Sequence, residues 1–79
     1  MNSTTLAIYD HVLNDILQGT VAEGGLLPTE MELAARFGVS RMDAHAAVKE
    51  LARFGIVRSK RGAGTFVCKV PSPSLARHL

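Results

Sequence analysis

The sequence predicts a mainly α fold with a small β wing, and three observations carry that expectation. Two helix starts stand close together at Thr29 and Ser40, each written in capping chemistry, with Gly38 between them. An amphipathic stretch precedes them, with apolar residues recurring at three- and four-residue steps from Leu6 to Leu17. After Gly55 the hydrophobic period shortens and two β-prone runs flank a glycine-bearing turn. Three helices and a β-hairpin follow. The second and third helices, joined only by Gly38 and Val39, have too little chain between them to lie antiparallel and cross steeply. The whole reads as a winged helix-turn-helix over residues 5–70, with the helix pair at about 30–49 and the wing at about 56–70.

The polar opening MNSTT is expected to fray at its first residues. The first helix is expected over about 5–18, with Leu6, Tyr9, Leu13, Ile16 and Leu17 as its stripe, Ile8 and Val12 flanking it, and Gly19 as its stop. Its work is packing, because Asp10 and Asp15 are poor neighbours for phosphate, and His11 reads as a solvated histidine. Gly24 and Gly25 form a turn, and Leu26 and Leu27 a candidate minimal third strand before Pro28.

The second helix opens on Thr29 with Glu32 three residues later, a capping box, and buries Leu33, Ala34 and Phe37. The third opens on Ser40, with Asp43 a weaker partner of the same kind. Its inner stripe is Ala44, Ala47, Val48 and Leu51, and Gly55 ends it. Its outer face carries Met42, His45, Ala46, Lys49 and Arg53, with Arg41 in the first turn. A slim helix with a polar, cationic outer face fits the major groove, where base edges are read. The bland alternative is a solvated face on an all-α domain.

Residues 56–60 and 65–70 are the strands of the hairpin, and residues 61–64 its turn. Arg58, Lys60 and Arg61 are expected at its tip, where they can reach phosphate or a neighbouring minor groove. Gly62 lets the backbone approach closely. Cationic hairpins also serve solubility on sheet edges, but a recognition helix directly upstream favours the wing. Residues 71–79, with two prolines alternating with serines, read as a linker toward a C-terminal domain absent from this sequence.

Seventy-nine residues make one small domain without a disulfide, and the single Cys68 points to a reducing compartment, the cytoplasm by default. No apolar run reaches the roughly 18 residues of a membrane span. No paired carboxylates, nucleophile–base pair or metal-ligand spacing occurs, so no enzyme, metal or cofactor is expected. The net charge of +2 hides an asymmetry: residues 1–40 carry −4 and residues 41–79 carry +6. The positive charge falls on the third helix and everything after it, the footprint of a polyanion-binding face.

Taken together, LPTEMELAARFGVSR, then AVKEL, FGIV and GAGTFV, resemble the DNA-binding domain of the GntR family of bacterial transcriptional regulators, in the right order across most of the chain. The resemblance implies a winged helix that binds double-stranded operator DNA, as a homodimer in the full-length protein. It also implies a C-terminal domain for effector binding or oligomerisation, through which any small-molecule effector acts. The piece in hand is expected to be monomeric or weakly dimeric. Arg41 matches the family's DNA-contacting arginine and Gly62 its wing-tip glycine.

The departures are Met31, where the family commonly has Arg, and Asp43, Ala44 and His45, where it commonly has Thr-Val-Arg. The candidate DNA-binding residues on the helix pair are Thr29, Met31, Ser40, Arg41, Met42, Asp43, His45 and Lys49. On the wing they are Arg58, Lys60, Arg61 and Gly62. Asp43 suits capping, with cytosine reading open to it as well. Met31, Asp43 and His45 also leave room for a different class of function, a winged helix that binds protein through a lapsed DNA face.

Overall fold

The computed structural model describes residues 2–68. Helix α1 spans Ser3–Leu17, α2 Glu30–Phe37 and α3 Arg41–Arg53; strands β1, Val57–Lys60, and β2, Gly64–Val67, pair antiparallel. The expected linker at 71–79, and Lys69 and Val70 of the expected second strand, lie outside the described residues.

The first helix begins earlier than its polar opening suggests. Asn2 is its N-cap, and the side-chain oxygen accepts from the Thr5 amide at 2.8 Å, so the chain is helical where fraying was expected. The buried stripe is also turned. Thr5, Ile8, Tyr9, Val12 and Ile16 are buried, Leu13 is only half-buried, and Leu6 and Leu17 are exposed. At 3.6 residues per turn, Leu6 and Leu17 fall roughly 100° round from the centre of the buried arc. His11 is less free than expected: its ring packs edge-to-face with Phe37, centroids 5.3 Å apart, and Nε2 lies 3.3 Å from Asp15.

Helix α2 starts as its sequence dictates. The Thr29 hydroxyl accepts from the Glu32 amide at 3.0 Å, and the Glu32 carboxylate accepts from the Thr29 amide at 3.1 Å. The Thr29 amide first, and then the Thr29 side chain, hold the Glu32 carboxyl below its ordinary range. Helices α2 and α3 end alike. Gly38 takes φ +65°, with its own amide bonded to the Ala35 carbonyl and the Val39 amide to that of Ala34; Gly55, at φ +75°, repeats the pattern with Ala52 and Leu51. Both are Schellman stops, which place one residue in the left-handed region that glycine enters without steric cost. Helix α3 therefore runs past residue 49 to Arg53.

One core joins α1, α2, α3 and the base of the hairpin, with Ile8, Ile16, Leu33, Leu51 and Val67 its largest fully buried side chains. Val57 pairs with Val67 across the sheet, and both are buried, which pins the hairpin to the helices. The expected third strand is a single antiparallel bridge between Leu26 and Phe66. Neighbouring bonds flank it: Leu27 donates to Thr65 at 2.8 Å, Val67 to Gly25 at 2.9 Å and Gly24 to Val67 at 2.7 Å. Pro28, which has no amide hydrogen, prevents the ladder from continuing. Tyr9 is buried against this core, and among the described residues its hydroxyl has no hydrogen-bond partner.

Candidate nucleic-acid interface

The inner stripe of α3 is buried as the spacing requires, and this fixes what the opposite face presents. Arg41, Met42, His45, Ala46 and Lys49 line an open concavity of about 470 Å³, with Glu30 from α2 as its other wall. Met42 is 81% exposed, too exposed to be a core gap-filler. Arg53, further along the same helix, is engaged locally: it pairs with Glu50 at 3.6 Å and lies over the Phe54 ring at 5.9 Å.

At the start of α3, the Ser40 hydroxyl accepts from the Asp43 amide at 3.2 Å and donates to the Asp43 carboxylate at 3.0 Å. Aspartate is one methylene shorter than glutamate. It meets the cap hydroxyl, where Glu32 in α2 reaches the cap amide. Ser40 and Thr29 are thus both occupied by capping, and the half-buried Asp43 carboxylate is drawn back to the cap.

A second concavity of about 330 Å³ brings Thr29, Glu30, Met31 and Arg41 together with Gly64 and Thr65 of the wing. Arg41 borders both depressions. So does Glu30, and at these two residues the helix pair and the wing meet.

The wing divides its cations. Lys60 closes β1 and Arg61 opens the turn, where Ala63 donates to the Lys60 carbonyl at 3.0 Å and Gly62 occupies the apex. Arg58, expected at the tip, instead stands within β1 opposite Phe66. Strand alternation puts Arg58 and Lys60 on the face opposite Ser59, whose hydroxyl meets that of Thr65 at 3.1 Å. Arg58 lies two residues before the last paired position, Lys60 opposite Gly64, and so is set back from the turn. Among the described residues, Lys49, Arg58, Lys60 and Arg61 are in no ion pair.

Glu30 was not among the residues singled out from sequence. Its Oε2 lies 2.8 Å from His45 Nδ1 and its Oε1 4.0 Å from Arg41 Nε. The contact to His45 spans fifteen residues and depends on how α2 crosses α3. The only signal in the sequence was its place as the acid of the Leu-Pro-x-Glu run. The pairs are largely exposed, so they orient side chains more than they stabilise the fold.

Three helices, a helix pair joined through a glycine stop and a two-stranded hairpin packed behind them define a winged helix-turn-helix. The description "Bacterial regulatory proteins, gntR family" matches residues 4–67, and the chain belongs to that family. The HTH-type transcriptional repressor STM4068 of Salmonella typhimurium is 38% identical over 60 residues, covering 76% of this chain and 25% of that protein. The Uxu operon regulator of Haemophilus influenzae is 35% identical over 78 residues, covering 99% of this chain and 29% of that protein. The chain therefore spans between a quarter and a third of the length of these relatives. Among solved structures, AraR(DBD) in complex with operator ORR3 superimposes with a TM-score of 0.82 at 34% identity, covering 86% of this chain and 82% of that one. The complex with operator ORE1 gives 0.81 at the same identity, covering 86% and 83%. No helix among the described residues is long and apolar enough to cross a membrane.

Proposed function

We propose that this chain is the operator-binding domain of a transcriptional regulator acting in the bacterial cytoplasm, with α3 in the major groove and the wing on the adjacent backbone or minor groove. The observation that carries the reading is the outer face of α3. Arg41, Met42, His45 and Lys49 stand exposed there while the inner stripe is buried, and positive charge continues onto the wing. The likeness to AraR(DBD) bound to operators supports the same docking. Thr29, Met31, Ser40 and Asp43 lie at the helix starts, where they approach phosphate or orient the residues that do. Arg58, Lys60, Arg61 and Gly62 supply the contacts of the wing. In the longer protein a C-terminal domain would hold the homodimer and bind a small-molecule effector. This piece alone is expected to be largely monomeric by sedimentation and to bind a half-site weakly.

The test is fluorescence anisotropy on selected and mixed-sequence duplexes across a salt series. Arg41→Ala should cost about 1–3 kcal/mol on the selected duplex and relax its specificity. Arg61→Ala should weaken all duplexes alike and reduce the salt slope by about one counterion. If both leave binding unaltered, the face is not a DNA surface. The reading favoured by the exposed Met31 and Met42 and by the acid Glu30, a protein-binding winged helix, then replaces it.

A further inference from the structure

His45 stands where the family commonly has arginine, and the structure gives it a partner that an arginine would use differently. Its Nδ1 lies 2.8 Å from Glu30 Oε2, the side chain is 61% exposed, and the ring borders the open concavity along α3. A carboxylate only accepts hydrogen bonds, so Nδ1 carries the proton. In the neutral ring the other nitrogen, Nε2, is then a bare acceptor. Arginine has no acceptor at all. Glu30 therefore sets the hydrogen-bonding sense of the outward edge of the ring, as carboxylates set the tautomer of histidines elsewhere.

We infer that His45 is a specificity-determining residue that reads an exocyclic amino group, adenine N6 or cytosine N4, in the major groove, with Glu30 as the positioning residue that fixes its tautomer. This assignment rests on the DNA-binding reading given above. In the groove, the guanine edge offers only acceptors and thymine an acceptor and a methyl, whereas adenine and cytosine each present an amino donor. A neutral His45 with Nε2 as acceptor complements the second pair and is repelled by the first. Once protonated, the ring has two donors, and Nε2–H suits guanine O6 or N7 instead. The charged groups around it are Glu30 from α2 and Arg41 and Lys49 from α3. Of these, Glu30 alone is within hydrogen-bonding distance of the ring.

The test is selection by the 79-residue chain from a duplex library with a randomised central window, sequenced after enrichment at about pH 8.5 and about pH 5.8. One position should prefer adenine or cytosine over guanine about fivefold at the higher pH, the low end of base discrimination because one ring nitrogen makes one bond. That preference should pass to guanine at the lower pH. His45→Arg should select guanine at both pH values, and His45→Gln adenine at both. Glu30→Gln, whose amide can donate as well as accept, should lose the amino preference at high pH while still enriching the rest of the site.

Enrichment by the parent chain with the same base at every position at both pH values overturns the assignment and leaves DNA binding standing. A Glu30→Gln profile identical to the parent's at high pH overturns the positioning role. No enrichment by the parent or by His45→Arg overturns DNA binding itself, and this inference with it.

Discussion

Replacing Tyr9 by Phe should make the protein more stable. The ring is 5% exposed, and among the described residues its hydroxyl has no hydrogen-bond partner. A buried hydroxyl that leaves water without finding a partner costs about 1–3 kcal/mol, whereas the aromatic body contributes the same burial in either residue. Removing one oxygen leaves a small void that returns part of this. The net gain should be about 1 kcal/mol, or ~4–8 °C in Tm for a domain of this size.

The pH dependence sharpens the test. Burial first, then the negative charges of Glu50 and Asp10, hold the Tyr9 hydroxyl above its ordinary value of 10.0. A group whose folded pKa is raised contributes stability that is present below the unfolded value and is lost as pH rises toward the folded one. The parent should therefore lose stability above pH 10.0 in a way that Tyr9→Phe does not, so the gap widens there. The chain has one tyrosine, so the difference between the two proteins isolates this hydroxyl. Urea unfolding followed by far-ultraviolet circular dichroism, at neutral pH and in the alkaline limb, measures it. A variant less stable than the parent by about 1 kcal/mol would show that the hydroxyl makes a favourable bond, and the reasoning would fail.

Three further outcomes are expected. Asp43→Thr removes a negative charge from the start of α3 and should tighten mixed-sequence DNA binding in anisotropy; if Asp43 also reads cytosine, one operator position should change its preferred base. Thr29→Ala removes the hydroxyl that accepts from the Glu32 amide and keeps the backbone amide that donates to the Glu32 carboxylate, so it should cost about 1 kcal/mol in thermal melts. The Thr29 side chain comes second, after that amide, in holding the Glu32 carboxyl low; its contribution is present above the ordinary carboxyl range and lost as pH falls through the folded value, so only this smaller part of the deficit should disappear toward acid. Gly38→Ala meets no atom within 4 Å and strains only the backbone at φ +65°, so chemical unfolding should show a loss of about 1–2 kcal/mol.

What the sequence made legible was written in local chemistry. The reciprocal bonds between Thr29 and Glu32, the serine cap of α3 and the two glycine stops depend on residues at most six apart, and each forms as its spacing requires. The alternation of α3 was equally clear, because its polar and apolar faces are distinct in composition. α1 offered no such contrast. Leu6, Leu13 and Leu17 are as apolar as Ile8, Val12 and Ile16, and only packing against α3 and the rest of the core decides which arc is buried. Glu30 escaped notice because its partnership with His45 is made by the crossing of two helices. Arg58 was misplaced at the tip although the strand expected over 56–60 already sets it two residues back from the turn.

The backbone clasp around β2 has a consequence for how the wing would act. Bonded to β1 on one edge and to residues 24–27 on the other, β2 is the middle leaf of the hairpin rather than an outer flap. A Cβ at Gly64 would fall 2.8 Å from Leu26 Cδ1, the end of an exposed side chain that can move aside, so it is the backbone, at φ +109°, that favours glycine at the start of β2. Only residues 61–63 extend past the last paired position, and the swing left to Arg61 is that of a fingertip on a fixed hand. A ligand meeting this wing finds its charges already posted and has little chain motion to freeze, so more of the attraction appears as affinity.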